Sequence, residues 1–143
     1  MPYKFLENVA IADVAFEVRA QTINGLFEDC ARAMTNVMIR DLSDLSQKVV
    51  RKFSMVAVNI ENLLFNFLNE LVYYKDVDFL LFGKFKVNIR KKEDGFKMKC
   101  IAYGDKIDPK KLKPVVDVKA VTMHMFEVKK TQRGWWARIV LDI

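Results

Sequence analysis

The stretch Lys84-Phe85-Lys86-Val87-Asn88-Ile89-Arg90 alternates polar and apolar side chains without a break. A period of two puts Phe85, Val87 and Ile89 on one face of a strand and the polar residues on the other. Asp94-Gly95 then supplies the positive φ angles of a tight turn, and Phe96, Met98, Cys100 and Ala102 resume the alternation. The pattern predicts an antiparallel hairpin with one apolar face. Such a face has to be covered by another layer, so the flanking sequence decides the fold.

Two segments can cover it. Asn59 is a good N-cap, and Leu63, Leu64, Phe67, Leu68, Leu71 and Val72 then form the strongest helical stripe in the chain, closed by Asp76 to Asp78. Thr22 caps a second helix running to about Met38, with Ile23, Phe27, Cys30, Met34 and Val37 on one face and Gly25 as a local weakness. Tyr3–Phe5, Ala10–Val18 and Gln47–Val58 read as further strands. Val118 to Lys129 and Trp135 to Asp142 read as a last pair, joined around Gln132-Arg133-Gly134. Asp41 to Ser46 and the segment with Pro109 and Pro114 read as loops. The expected fold is α+β, a mainly antiparallel sheet with two helices packed on one face, in a single domain over residues 1–143. No internal repeat is evident in the sequence.

Composition agrees with one ordinary domain. The chain has 143 residues, 52 % hydrophobic and 29 % charged, which excludes an intrinsically disordered chain. At this length roughly two thirds of the unfolded surface can be buried. Two cysteines, Cys30 and Cys100, are too few for a disulfide scaffold. No apolar run reaches the roughly 18 residues of a membrane helix, and the first residues lack the basic and apolar regions of an export signal. The expectation is a cytoplasmic protein with free thiols and no membrane partner.

The charge raises a different question. Lys and Arg number 24 against 18 Asp and Glu, a formal net charge of +6. The short basic runs are Arg90-Lys91-Lys92, Lys110-Lys111 with Lys113, and Lys129-Lys130, all in expected turns or loops. They are either solvated loop ends or a patch for RNA or an acidic protein face. The interleaved Lys84-Phe85-Lys86 carries no such weight, since strand alternation explains it.

Few residues offer chemistry. No phosphate-binding glycine loop and no nucleophile elbow occurs. His124 is the only histidine, and it is expected to share a strand face with Thr122 and Phe126 as a structural residue. The cysteines fall at apolar positions and read as small hydrophobes. Of Trp135 and Trp136, pointing to opposite faces, one is expected inside and the other exposed as a partner anchor. Two aspartates remain. Asp13 interrupts the apolar Ile11-Ala12-Asp13-Val14-Ala15-Phe16, and Asp142 follows the long apolar strand ending in Leu141. They are either solvated strand ends or, if they meet, an oxygen-rich site for a hard divalent cation.

Several stretches together resemble a known family. Val118-Lys119-Ala120-Val121-Thr122-Met123-His124 is similar to the V-K-A-[IV]-T-Y-H stretch of the archeases. Leu141-Asp142-Ile143 is similar to their terminal [LIV]-D-[LI]. Leu63-Leu64-Phe65-Asn66-Phe67-Leu68-Asn69-Glu70-Leu71 is similar to their L-L-[YF]-x-[FW]-L-[DE]-E-L, and Leu81 to Val87 also fits. Where the family usually has [DE]-H-T-A-D, this chain has Val9-Ala10-Ile11-Ala12-Asp13, which keeps the Ala-Asp pair and lacks the acid and the histidine.

The resemblance implies a metal site at Asp13 and Asp142, with Ile143 adding a main-chain or carboxylate oxygen. The cation would be divalent: calcium, or magnesium or manganese. It implies no catalysis by the chain itself. It implies a protein cofactor that promotes the GTP- and metal-dependent guanylylation of an RtcB-type RNA ligase and its multiple turnover. Such a cofactor works in tRNA splicing and meets tRNA only through the ligase. The alternatives are a basic module acting directly on RNA, or as an RNA-processing chaperone, and a metal hydrolase built on the two aspartates.

Overall fold

The computed structural model describes residues 2–6, 13–108 and 116–143. The expected α+β architecture is present. Its strands divide into two antiparallel sheets. The four-stranded sheet holds β1 (Tyr3–Leu6), β2 (Asp13–Ala20), β6 (Ala120–Thr131) and β7 (Gly134–Asp142) in the order β1-β2-β7-β6. The three-stranded sheet holds β3 (Val49–Ala57), β4 (Leu80–Lys92) and β5 (Gly95–Lys106) in the order β3-β5-β4. The helices α1 (Ile23–Met38) and α2 (Ile60–Asp78) each pack against strands of both sheets and form the layer between them.

Both expected caps form. The Thr22 hydroxyl accepts from the Gly25 N–H at 3.0 Å, and the Asn59 amide oxygen accepts from the Asn62 N–H at 2.8 Å. α2 stops where Phe79 turns to the left-handed region (φ 56°), its N–H donating back to the Lys75 carbonyl. All six residues of the stripe expected in α2 are buried, and Phe67 stacks against Phe27 of α1 and Phe53 of β3. Interdigitated rings of this kind fill the space between the sheets at interior density.

A repeat that side chains conceal is plain in the backbone. β2-α1-β6-β7 and β3-α2-β4-β5 follow one plan: strand, two-residue connection ending in an N-cap, helix, hairpin. In each sheet the last strand lies between the other two. The second unit is inserted between α1 and β6 of the first. Each of the seven residues buried in α2, from Leu63 to Lys75, has a buried counterpart at the same place in α1, from Leu26 to Met38. The hairpin glycines also correspond. Gly95 (φ 147°) and Gly134 (φ 154°) each start a central strand. A Cβ there would lie 2.3 Å from the Ala57 carbonyl and 2.2 Å from the Ala20 carbonyl, where the strand before each helix ends.

Several expectations change. Residues 10–12 of the second expected strand, and Pro109 to Pro114 with Lys110, Lys111 and Lys113, lie outside the described residues. The other two basic runs belong to strands β4 and β6 rather than turns. Thr122, His124 and Phe126 do not share a face. The β6–β7 register is interrupted between Thr122 and Glu127, and Met125 is left-handed (φ 56°). The irregularity turns Phe126 inward onto Phe65 of α2 and leaves His124 exposed. Neither tryptophan is exposed: Trp135 packs on the core, and Trp136 is buried beneath Lys129 and Arg138.

Candidate metal site

Asp13 opens β2 and Asp142 closes β7, and the antiparallel register sets them directly opposite one another. Opposite residues on neighbouring strands have Cβ atoms about 4.5–5.5 Å apart. Val14, Phe16 and Val18 belong to the helix-facing side, so alternation turns both aspartates to the outer face of the sheet, where both are half-buried. β7 is central, so Asp142 also pairs with Ala120 of β6, and its carbonyl accepts from the Lys119 N–H at 2.8 Å. The aspartate thus sits on a strand end held from both sides. Ile143 packs its side chain on the core, so main-chain oxygen is what it can offer a cation.

The donor set is two carboxylates with main-chain oxygens, the all-oxygen chemistry of a hard divalent cation. Like charges directly opposite destabilise a strand pair, and a cation between them reverses that sign. Among the described residues no group of three His, Cys, Asp or Glu gathers. Glu7, Val9 and Ala10 lie outside the described residues.

The other reactive side chains are accounted for. Cys30 and Cys100 are buried free thiols. Burial pushes both up, Cys100 to about 12 with the Glu28 carboxylate adding to the effect. A thiol held in that range stays protonated and is no nucleophile. His124 stands on the exposed β6 irregularity between Met123 (54 % exposed) and Met125 (46 %). Below it Arg138 donates from Nε to the Met125 carbonyl at 2.8 Å and pairs with Glu127 at 3.3 Å. This outward turn was not legible in the alternation. The one hint was the inward need of both Phe126 and Val128.

The chain was compared with known proteins. Residues 3–143 match the family described as "Archease protein family (MTH1598/TM1083)". The archease of Pyrococcus abyssi is 37 % identical over 133 residues, covering 92 % of this chain and 93 % of that one. The archease of Methanosarcina mazei is 37 % identical over 142 residues, covering 99 % and 95 %. Among solved structures, Protein 1598 of Methanobacterium thermoautotrophicum superposes with a TM-score of 0.86 at 32 % identity, covering 99 % of each chain. With a family model that spans nearly the whole sequence and a solved relative of the same fold, the chain belongs to the archease family.

Proposed function

We propose that the protein is a non-catalytic activator of an RtcB-type RNA ligase, with Asp13, Asp142 and the main-chain oxygen of Ile143 holding a divalent cation. The observation that carries this is the register that sets Asp13 opposite Asp142 at the end of the sheet. Family membership agrees with an accessory role. A related fold in Thermotoga maritima is described as an archease and possible chaperone. No helix among the described residues is long and apolar enough to cross a membrane, which suits work in the cytoplasm beside tRNA held by the ligase.

The chain's residues would act by position. The two carboxylates sit on paired strands whose ladder fixes their separation, so they form a preset clamp rather than two mobile side chains. Held there, a calcium, magnesium or manganese ion would supply a concentrated positive charge to the anionic phosphates of a nucleotide. Docking this end of the sheet against a ligase would orient that charge, and orientation alone can be worth several kcal/mol of barrier. The test is ligase guanylylation and multiple-turnover RNA joining with the wild-type protein, Asp13→Asn and Asp142→Asn. Loss of stimulation by both, with folding intact by circular dichroism, is the expected result. Undiminished stimulation by both would sink the proposal.

A further inference from the structure

The outer face of the three-stranded sheet is dominated by cations. Alternation turns Lys84, Lys86, Arg90 and Lys92 of β4 outward, away from the buried Phe85 and Val87. In register beside them β5 places Lys99 opposite Asn88 and Lys97 opposite Arg90, and β3 adds Lys52 on the far side. The one acid that alternation places on this side of the three strands is Asp105, at the end of β5 away from the hairpin turn, where it accepts from the Ser46 hydroxyl at 2.7 Å. Ion pairs form on α1, on β6 and β7, and around Lys75. The rest of the chain has 17 Lys and Arg against 17 Asp and Glu, so this face, with seven cations and one acid, carries a charge equal to the net +6. A cavity of about 340 Å³ opens toward the hairpin end of β4 and β5, lined by Asn88, Arg90, Lys92, Lys97 and Lys99.

We propose that this face docks the phosphate backbone of single-stranded RNA. The choice between RNA and an acidic protein follows from the density of charge. Protein interfaces are depleted of lysine at their cores and enriched there in aromatics. Nucleic-acid interfaces are far more positive. Here Lys97 and Lys99 share the middle strand with Ile101 and Tyr103, cations flank them on β4 and at Lys52, and Val50 and Val56 stand on the β3 edge. Residues two apart on a strand are about 6.8 Å apart, close to the step between phosphates on an extended nucleic-acid strand. Cations in such rows follow a backbone and read no sequence. The surface needs neither the ligase nor a divalent cation, so its fate is separable from that of the aspartate pair.

The test is fluorescence anisotropy with labelled oligouridine at two salt concentrations, in EDTA. The wild-type protein should bind, and binding should weaken steeply with salt. Lys86→Gln with Arg90→Gln and Lys99→Gln, all exposed positions, should lower affinity about tenfold or more and flatten the log–log salt slope by about 2. The same sites changed to Lys86→Arg and Lys99→Arg should bind like wild type. Arg40→Gln with Lys130→Gln and Arg133→Gln removes equal charge elsewhere and should bind like wild type. Three results would each overturn the proposal. They are no binding at the lower salt, an equal loss in the Arg40 set, or competition by oligoglutamate as strong as by unlabelled oligouridine.

Discussion

Where Asp13 faces Asp142 in the four-stranded sheet, Val50 faces Tyr103 at the equivalent place in the three-stranded one. The two positions share a register, a strand order and an outward orientation, and they differ in everything chemical. On the first outer face charges of both signs meet: Arg138 pairs with Glu127, and Trp136 lies under Lys129 at 4.8 Å. On the second, cations stand in rows with Lys84 over the Tyr103 ring at 5.3 Å. The shared backbone plan serves the helix-facing sides, where packing constrains both units alike. The outward sides carry no such constraint, and there the two units differ.

That comparison can be broken in the core first. Phe67 and Cys30 occupy the same place in their helices and both are fully buried. Phe67→Ala should cost about 3–5 kcal/mol, since three rings lose their partner, lowering the melting temperature by about 10 °C. Cys30→Ala should cost only about 1 kcal/mol. Equal losses in thermal denaturation would show that the units do not share the core as described.

The aspartate pair gives a smaller effect whose sign depends on metal. In EDTA, Asp13→Asn and Asp142→Asn should melt at or slightly above wild type, because an opposed like-charge pair costs about 0.2–1 kcal/mol. With calcium at ten times its dissociation constant, wild type should gain about 1.4 kcal/mol and the variants nothing. Calorimetric scans with and without calcium decide it. Next, Thr22→Ala and Asn59→Ala should each cost about 1 kcal/mol, equally in the two units. Urea denaturation measures both.

The smallest effect falls at Lys75, whose counterpart in α1 is Met38. Lys75 is buried, and its ammonium donates to Asp76 at 2.5 Å and Asp117 at 2.6 Å. Burial pulls its pKa down, but the hydrogen bonds to Asp117 and Asp76 outweigh that and hold it above 10.5. A raised lysine stabilises fully below 10.5 and loses the contribution as pH climbs through the folded value. Lys75→Met should change stability at pH 7 by less than about 1 kcal/mol, as both aspartates are exposed and return to water. It should also remove the extra loss above pH 10.5, read from melts across that range.

How much could be read beforehand follows the same division. The caps Thr22 and Asn59, the α2 stripe and the 84–102 hairpin were legible because each is a local pattern of a few residues. The internal repeat was not, because it requires only that the same positions be buried, and Phe67 meets that need as well as Cys30. The β6 irregularity was hidden because its cause is distant: Phe65 on α2 draws Phe126 inward. Asp13 and Asp142 could be singled out as charges among apolar residues, yet their opposition depends on pairing strands from the two ends of the chain.

By itself, then, the sequence determined the elements, their apolar faces and the family, since periodicity, capping chemistry and motif spacing are properties of neighbouring residues. Only the tertiary structure decided which faces remain open. It divided the strands into two sheets around one helical layer, brought two aspartates 129 positions apart into register, and lined up lysines from three strands on one uncovered face. Burial and register are properties of the packed whole, because a side chain is outward-facing only when nothing else in the fold covers it.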